Sequence, residues 1–310
     1  MNLQINGMNT IKKNNDFRPL FIGFGKQAQE YAKALNSKKI FIHSIFIRNK
    51  KKNIKIENKY KINYIFNNLK SALNDERYTH VFVFLPWNII EKKIEFIIKN
   101  SKKIIFCEKP LALSVKKLKK IIFLLKKKKK KLHVLYNRRY YLAANKIRNK
   151  LKNKKIEYQI TIPEKINIYK KYDKKLKYNI KYHLTSHWID FFTYVLNKKI
   201  TKFERKAKNY YIYLNNNNKN KSYIKIIYNG NGYIKAKIKE NNKIYLFDTL
   251  ERVYLKKNKK KKLIFNEYKE NKFKPGIDKL LDDIIINKKT ILPEPKNLTN
   301  LYYYIDKLPY

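Results

Sequence analysis

The sequence predicts an α/β protein in which an N-terminal doubly wound parallel sheet is followed by an α+β domain with an open, mostly antiparallel sheet. Apolar strand-like runs alternate with helices of about a dozen residues up to residue 140, which is typical of a parallel sheet. After residue 150 the runs become short, rich in Tyr and Ile, and separated by Asn and Gly, which favours antiparallel pairing. A chain of 310 residues is long enough for two domains.

Hydrophobic patterning predicts each element of the first half. The predicted strands are 18–24, 40–47, 80–85, 103–107 and 132–137. The predicted helices are 26–36, 69–75, 88–99 and 114–125. The run 80–85 is apolar throughout, as expected of a strand covered on both faces, and Ser114 is placed to cap the helix that it begins.

The second half is predicted to begin with a helix and continue as a sheet. The helix covers 183–196, and the strands cover 210–214, 223–228, 233–238, 244–247 and 253–255, with turn signals at 215–218 and 229–232. Two more helices are expected at 276–286 and 297–308. The predicted segments are a polar N-terminal extension 1–16, a first domain 17–140, a second domain 141–275 and C-terminal helices 276–310 packed back on the first domain.

The net charge of +52 suggests nucleic acid as a partner, but the residue types argue against a specific one. The chain has 75 Lys and Arg against 23 Asp and Glu, and only eight of the 75 are arginine, the residue that base reading and bidentate phosphate binding favour. Lys, Asn, Ile, Tyr and Phe are all encoded by A/T-rich codons, so we interpret the lysines as solvated surface. Specific nucleic-acid binding is therefore not expected, although non-specific polyanion binding is.

Other features of the composition point to a cytoplasmic protein. A single cysteine, Cys107, excludes an internal disulfide and reads as an inert buried thiol. No apolar run is long enough for a membrane span, and the first residues lack the apolar stretch of a secretory signal. His43, His80 and His133 lie apart without the ligand spacing of a zinc site, so no metal is expected.

A glycine fingerprint follows the first predicted strand and opens the first helix. It reads Gly23-Phe24-Gly25-Lys26-Gln27-Ala28. Gly23 permits a tight turn, Gly25 lets the backbone approach a pyrophosphate, and Ala28 allows close packing of helix on strand. Lys26 and Gln27 begin the helix, whose N-terminus supplies N–H donors to phosphates. The pattern predicts a Rossmann domain that binds NAD or NADP.

Two further segments are expected to face this dinucleotide. The second strand ends at Arg48 without the acidic residue that would bind the ribose hydroxyls of NAD, so the sequence leans towards NADP. Arg48 either faces the 2′-phosphate or is an exposed strand end, and both interpretations remain open. Pro86 and Trp87 follow the strand 80–85 at the edge where ligands bind, and either flank the nicotinamide or form an ordinary turn.

Several motifs in order along the chain match one family. They are Glu108-Lys109-Pro110 after the strand 103–107, Tyr136-Asn137-Arg138-Arg139-Tyr140, His187-Trp188-Ile189-Asp190 and Phe273-Lys274-Pro275-Gly276. Together with the fingerprint, they resemble the Gfo/Idh/MocA oxidoreductases, the family of glucose–fructose oxidoreductase and inositol dehydrogenase. The Glu-Lys-Pro element is the most specific, and the resemblance spans nearly the whole chain.

The resemblance implies the roles of the candidate catalytic residues. In that family the lysine of Glu-Lys-Pro hydrogen-bonds the reacting hydroxyl and helps to place the cofactor, which makes Lys109 catalytic and substrate-binding and Glu108 cofactor-binding. The family's catalytic histidine corresponds to His187, which would take the hydroxyl proton as hydride leaves the carbon. Asp190 either orients an imidazole or serves packing. The family's sheet commonly builds dimers, so a homo-oligomer through the second sheet is expected.

The sequence departs from the family at the substrate side. The family usually has an aspartate four residues before the histidine, and here that position is His183, which we take as a substrate-binding candidate. The lysine-rich segment 165–181 replaces another stretch that often contacts substrate. Arg139 either binds an anionic substrate group or anchors the helix between the domains.

The resemblance implies an NAD(P)-dependent oxidoreductase acting on a secondary alcohol carbon of a sugar or nucleotide sugar, in surface glycan synthesis. The alternative is a catalytically degenerate Rossmann protein that binds dinucleotide in a regulatory role. The replacement of the aspartate by His183 motivates the alternative.

Overall fold

The computed structural model describes residues 16–48, 59–164, 179–207, 209–215, 222–228, 230, 232–267 and 274–308. The predicted N-terminal extension up to residue 15, most of the lysine-rich segment, and parts of the turns at 215–218 and 229–232 lie outside the described residues. Within the described part, no helix is both long enough and apolar enough to cross a membrane.

Six parallel strands form the first sheet. They are β1 (Pro19–Ile22), β2 (Ser44–Phe46), β3 (Tyr64–Phe66), β4 (His80–Val83), β5 (Ile104–Cys107) and β6 (Leu132–Val134). Their order is β3-β2-β1-β4-β5-β6, so the order reverses between β1 and β4. The doubly wound parallel sheet is confirmed. The patterning missed β3, because that strand is only three residues long and its first residue is exposed.

Four helices around this sheet begin and end close to the predicted positions: α1 (Lys26–Ser37), α2 (Leu69–Asn74), α3 (Trp87–Asn100) and α4 (Val115–Lys127). A fifth helix, α5 (Leu142–Leu151), was not predicted. Ser114 caps α4, as expected, since its side chain accepts a hydrogen bond from the backbone N–H of Lys117 at 3.1 Å. The predicted strand 132–137 is shorter than expected, because its last residue begins a 3-10 turn at Asn137–Tyr140.

Eight strands form the second sheet, which is antiparallel except where β7 pairs with β10. They are β7 (Glu157–Glu164), β8 (Ile200–Lys206), β9 (Asn209–Leu214), β10 (Tyr223–Tyr228), β11 (Lys235–Glu240), β12 (Lys243–Phe247), β13 (Arg252–Lys257) and β14 (Lys260–Asn266), in the order β14-β13-β12-β11-β7-β10-β9-β8. The mostly antiparallel second sheet is thus confirmed. The outer face of β11 carries only Lys235, Lys237 and Lys239.

A buried helix joins the two sheets. The predicted helix 183–196 is broken at Leu184 into α6 (Ile180–His183) and α7 (Thr185–Leu196), and nine of the twelve residues of α7 are buried. One cluster of buried apolar side chains contains residues of β1, α7 and β7, so the core runs continuously from one sheet to the other.

The last two helices return to the first sheet. Helix α8 (Ile277–Ile285) packs on α1, and α9 (Thr299–Asp306) packs on α4 and α7. Gly276 begins α8 with φ 80°, and a Cβ there would lie 2.6 Å from the carbonyl oxygen of Asn137. Only glycine fits at this junction between the C-terminal helices and the turn after β6.

Candidate active site

The site lies at the carboxyl edge of the parallel sheet. Because the strand order reverses between β1 and β4, the loops that follow these strands diverge and leave a crevice, where ligands bind in such sheets. Gly23 follows β1 and Pro86 follows β4, and the Glu108-Lys109 pair follows the neighbouring β5. The fold therefore brings three separately predicted motifs to one edge.

The turn after β1 has the geometry that a dinucleotide requires. Gly23 has φ 91°, and a Cβ there would lie 2.9 Å from the carbonyl oxygen of Phe84, so the turn needs glycine. A Cβ at Gly25 would meet nothing within 4 Å, which leaves open space over the N-terminus of α1. That terminus has no side-chain cap and no acidic residue in its first turn, so its N–H groups remain available for phosphates.

We predict that Gly25→Val weakens dinucleotide binding without unfolding the protein. The backbone of Gly25 is extended at φ −80°, which valine adopts, but the added methyl groups fill the open space. The dissociation constant for the preferred dinucleotide, measured by calorimetry, should rise at least about tenfold. The free energy of unfolding without ligand should change by less than about 0.5 kcal/mol. Gly25→Ala should give an intermediate loss of affinity, and a valine variant with parental affinity would place the phosphates elsewhere.

The other candidate cofactor residues differ in their solvent exposure. Ala28 is fully buried in α1, whereas Lys26, Arg48 and Pro86 are exposed and Trp87 is half-buried. The exposure of Arg48 leaves both of its interpretations open, because an exposed side chain is free to meet a 2′-phosphate and is also what a plain strand end shows.

A lysine from the C-terminal segment also reaches the fingerprint. Lys274 donates a hydrogen bond to Oε1 of Gln27 at 2.9 Å. One carboxylate oxygen of Glu108 is buried and has no hydrogen-bond partner among the described residues, and burial raises the pKa of this carboxyl. The sequence analysis named Lys274 only within a family motif, since nothing in the sequence shows that a residue so far along the chain returns to the fingerprint.

Lys109 is partly buried and turned towards the second domain. Its Nζ donates a hydrogen bond to the backbone carbonyl of His183 at 2.6 Å and lies 3.4 Å from Nδ1 of the same residue. Burial lowers the pKa of Lys109 to about 7, opposed by the carboxylate of Glu108 and reinforced by the positive charge of Arg138. An amine with this pKa exchanges its proton near neutral pH.

The two histidines of the site are held neutral. His183 stacks on Trp87 with the ring centroids 6.0 Å apart, and burial together with the charge of Lys109 lowers its pKa to about 3. His187 is buried beside Tyr136, its Nδ1 has no hydrogen-bond partner among the described residues, and burial lowers its pKa well below the ordinary value. Both rings are therefore hydrogen-bonding groups rather than charged ones.

A buried carboxylate that the sequence analysis missed completes the site. Glu164 ends β7, is 1% exposed, and accepts a hydrogen bond from Oγ1 of Thr185 at 2.8 Å. Burial raises its pKa to about 7, opposed by Thr185, Arg138 and Lys109. The sequence does contain a signal for this buried position, because the period-two pattern of β7 places Glu164 on the same inward face as Ile160 and Ile162.

The two consecutive arginines after β6 have different partners. Arg139 binds Asp190 with two hydrogen bonds of 2.9 and 2.5 Å and donates a third to the carbonyl of Ile291. These contacts favour the anchoring role for Arg139 and show that Asp190 pairs with it instead of orienting an imidazole. Arg138 instead lies 3.4 Å from the ring centroid of Trp188.

Comparison with known proteins agrees with this geometry. Residues 17–136 match the model of an oxidoreductase family with an NAD-binding Rossmann fold, Gfo/Idh/MocA. The predicted resemblance to this NAD-binding oxidoreductase family is confirmed over these residues.

Solved structures with the same fold cover nearly the whole chain. An Agrobacterium radiobacter oxidoreductase in complex with NAD+, L-tartaric acid and magnesium has a TM-score of 0.74 at 13% identity, with 94% of each chain covered. The super-repressor mutant of Gal80p from Saccharomyces cerevisiae has 0.78 at 13%, again with 94% of each chain covered. The UDP-N-acetylglucosamine 3-dehydrogenase GnnA from Acidithiobacillus ferrooxidans has 0.70 at 11%, covering 94% of this chain and 96% of that one. No curated protein sequence matches this chain.

Proposed function

We propose that this protein is a Gfo/Idh/MocA oxidoreductase that moves hydride between NAD(P) and a secondary alcohol carbon of a sugar or nucleotide sugar. The observation that carries the proposal is Lys109, which lies beside His183 at the edge of the sheet that also holds the glycine fingerprint. The dehydrogenase GnnA, by its name, acts on a sugar nucleotide, and the Agrobacterium protein holds NAD+ with a hydroxy acid, which supports a hydroxyl compound as substrate.

The residues present fit a dinucleotide, with the pyrophosphate at Gly25 and the N-terminus of α1 and the nicotinamide near Trp87. Bound NAD(P) supplies the hydride acceptor. In the oxidation direction, the C–H electron pair leaves the alcohol carbon as hydride, the carbonyl forms, and the hydroxyl proton passes to neutral Nζ of Lys109. His187, held neutral, orients the hydroxyl by hydrogen bonding.

This division of roles reverses the one that the family resemblance implied, in which His187 takes the proton. The reason is electrostatic, because the pKa of Lys109 is about 7 whereas that of His187 is far below its ordinary value. A general base works best when its pKa lies near the working pH.

The second candidate function is dinucleotide binding without catalysis. Two observations favour it: His183 stands where the family has a substrate-binding aspartate, and its carbonyl holds the ammonium of Lys109. The Gal80p structure, from a protein described as a repressor mutant, supports the idea that this fold also serves regulation.

One assay separates the candidates. Calorimetric titration with NAD+ and NADP+ should show uptake of at least one, with NADP+ preferred if Arg48 faces a 2′-phosphate. Nicotinamide absorbance should then change with at least one member of a panel of sugars and sugar nucleotides. Cofactor uptake with no turnover across the panel would favour the regulatory candidate, and no uptake of either dinucleotide would contradict both.

A cytoplasmic location, a role in surface glycan synthesis, and a homo-oligomer formed through the second sheet are further parts of this proposal. The oligomer is supported by large apolar side chains that this domain exposes, Tyr233 at 78% and Leu263 at 41%.

A further inference from the structure

Arg138 is half-buried, and its guanidinium is not fully paired. Its guanidinium stacks on Trp188 at 3.4 Å, and its Nη1 is buried with no hydrogen-bond partner among the described residues. The guanidinium of the next residue, Arg139, donates two hydrogen bonds to the carboxylate of Asp190. Arg139, the sequence-based candidate for binding an anionic substrate group, is thus occupied by Asp190, whereas Arg138 has a free donor.

The surroundings of Arg138 are positive. Lys109 and Lys274 interact with it electrostatically across the cleft, and each lowers the pKa of the histidines there. Among the described residues, the hydroxyl of Tyr141 and the carboxylates of Glu251 and Glu164 attract Arg138, but neither carboxylate lies within the 4 Å of an ion pair. Burial lowers the pKa of Arg138 to about 10, so the guanidinium keeps its charge at neutral pH.

We propose that Arg138 binds an anionic group, a carboxylate or a phosphate, of the compound whose hydroxyl meets Lys109. This inference rests on the proposed function and names its substrate class, an anionic sugar derivative. A guanidinium donates two parallel hydrogen bonds to such oxygens, and stacking on Trp188 fixes the plane of the fork in advance.

The rival explanation is that Arg138 serves only to neutralise Glu164. The contacts favour the substrate role, because Glu164 accepts its hydrogen bond from Thr185, and Arg138 lies over the ring of Trp188. A buried donor such as Nη1 is costly to leave without an acceptor. The rival predicts that removal of the charge leaves ligand binding unchanged.

The test uses calorimetry on the full chain saturated with its dinucleotide. The probes form matched pairs: gluconate with sorbitol, which replaces the carboxylate by a hydroxymethyl group, and UDP with uridine, which lacks the phosphates. The variant Arg138→Met removes the charge and keeps an apolar stem over Trp188, and Arg138→Lys keeps the charge without the planar fork. Arg205→Met is the control, because Arg205 also lies over an aromatic ring, that of Tyr210, but is exposed.

We expect the parent to bind the anionic member of at least one pair more tightly than its neutral partner. Arg138→Met should weaken that binding at least about tenfold, Arg138→Lys should weaken it less, and Arg205→Met should leave it unchanged. The pair that responds distinguishes a carboxylate from a phosphate. The inference would be overturned if Arg138→Met bound both gluconate and UDP as tightly as the parent does. It would also be overturned if the parent bound neither probe. Dinucleotide affinity is measured in the same samples, so loss of the proposed function itself is seen separately.

Discussion

Replacing Lys109 with methionine should lower turnover by about a thousandfold, within the range that a positioned acid–base group contributes. Methionine keeps the length of the stem but removes the amine that accepts the hydroxyl proton. Dinucleotide affinity should stay within about threefold of the parent, because the phosphates are held by the backbone at the N-terminus of α1. Turnover is measured by nicotinamide absorbance and affinity by calorimetry. A methionine variant with parental turnover would remove Lys109 from the mechanism.

The role of Lys109 as the proton acceptor also predicts the direction in which kcat/KM changes with pH. The lowered pKa of Lys109 means that the amine loses its proton near pH 7, so alcohol oxidation should rise as pH increases through about 7 and level off above it. Carbonyl reduction, which needs the protonated amine, should fall over the same interval. His187→Gln should lower activity but keep this inflection. An inflection that disappears with the glutamine variant would instead assign the proton to His187, as the family resemblance implied.

Asp190→Asn should produce the largest loss of stability among single isosteric changes at the site. The carboxylate of Asp190 is 2% exposed and binds two nitrogens of Arg139, so the amide leaves a guanidinium buried without its counter-charge. Breaking a buried pair in this way costs about 3–5 kcal/mol. The measurement is the urea midpoint at constant slope, which reports the change in the free energy of unfolding.

An exposed pair of the same residue types serves as the control. Arg252 and Asp248 also form an ion pair, but their side chains are 39% and 46% exposed, so Asp248→Asn should cost less than about 1 kcal/mol. The double variant Arg139→Met with Asp190→Leu should recover much of the lost stability, because it removes both charges together. If Asp190→Asn cost no more than the control, Arg139 would not be the anchor between helix and turn.

The parts of the fold that sequence predicted are those with strong local signals. Apolar runs such as β4 and β5 and the fingerprint before α1 are readable because burial on both faces and tight-turn chemistry are local properties. Strands β7, β8 and β14 were not predicted, and in β14 lysines fill three of the four exposed positions and dilute the alternation. The sequence analysis found no signal for the break at Leu184.

For the site, the sequence located the residues whose spacing is fixed by a motif and missed those brought in by tertiary structure. Lys109 and His187 come from motifs, whereas Glu164 reaches them only because the end of β7 packs beside Thr185. The choice between Arg138 and Arg139 as the free arginine also needed the structure, because the two are adjacent and identical in type. What decides is the location of Asp190 one domain away.

The uninterrupted apolar core that links the two sheets through α7 limits how this protein admits its ligands. Opening the crevice by swinging one domain away from the other would expose that shared interior to water, at a free-energy cost that scales with the uncovered apolar area. We therefore expect ligand entry to depend on small local rearrangements at the rim, such as unstacking of His183 from Trp87 and release of the Lys109 amine from the backbone carbonyl. Ligand binding and release of the Lys109 amine from the carbonyl of His183 would then occur together.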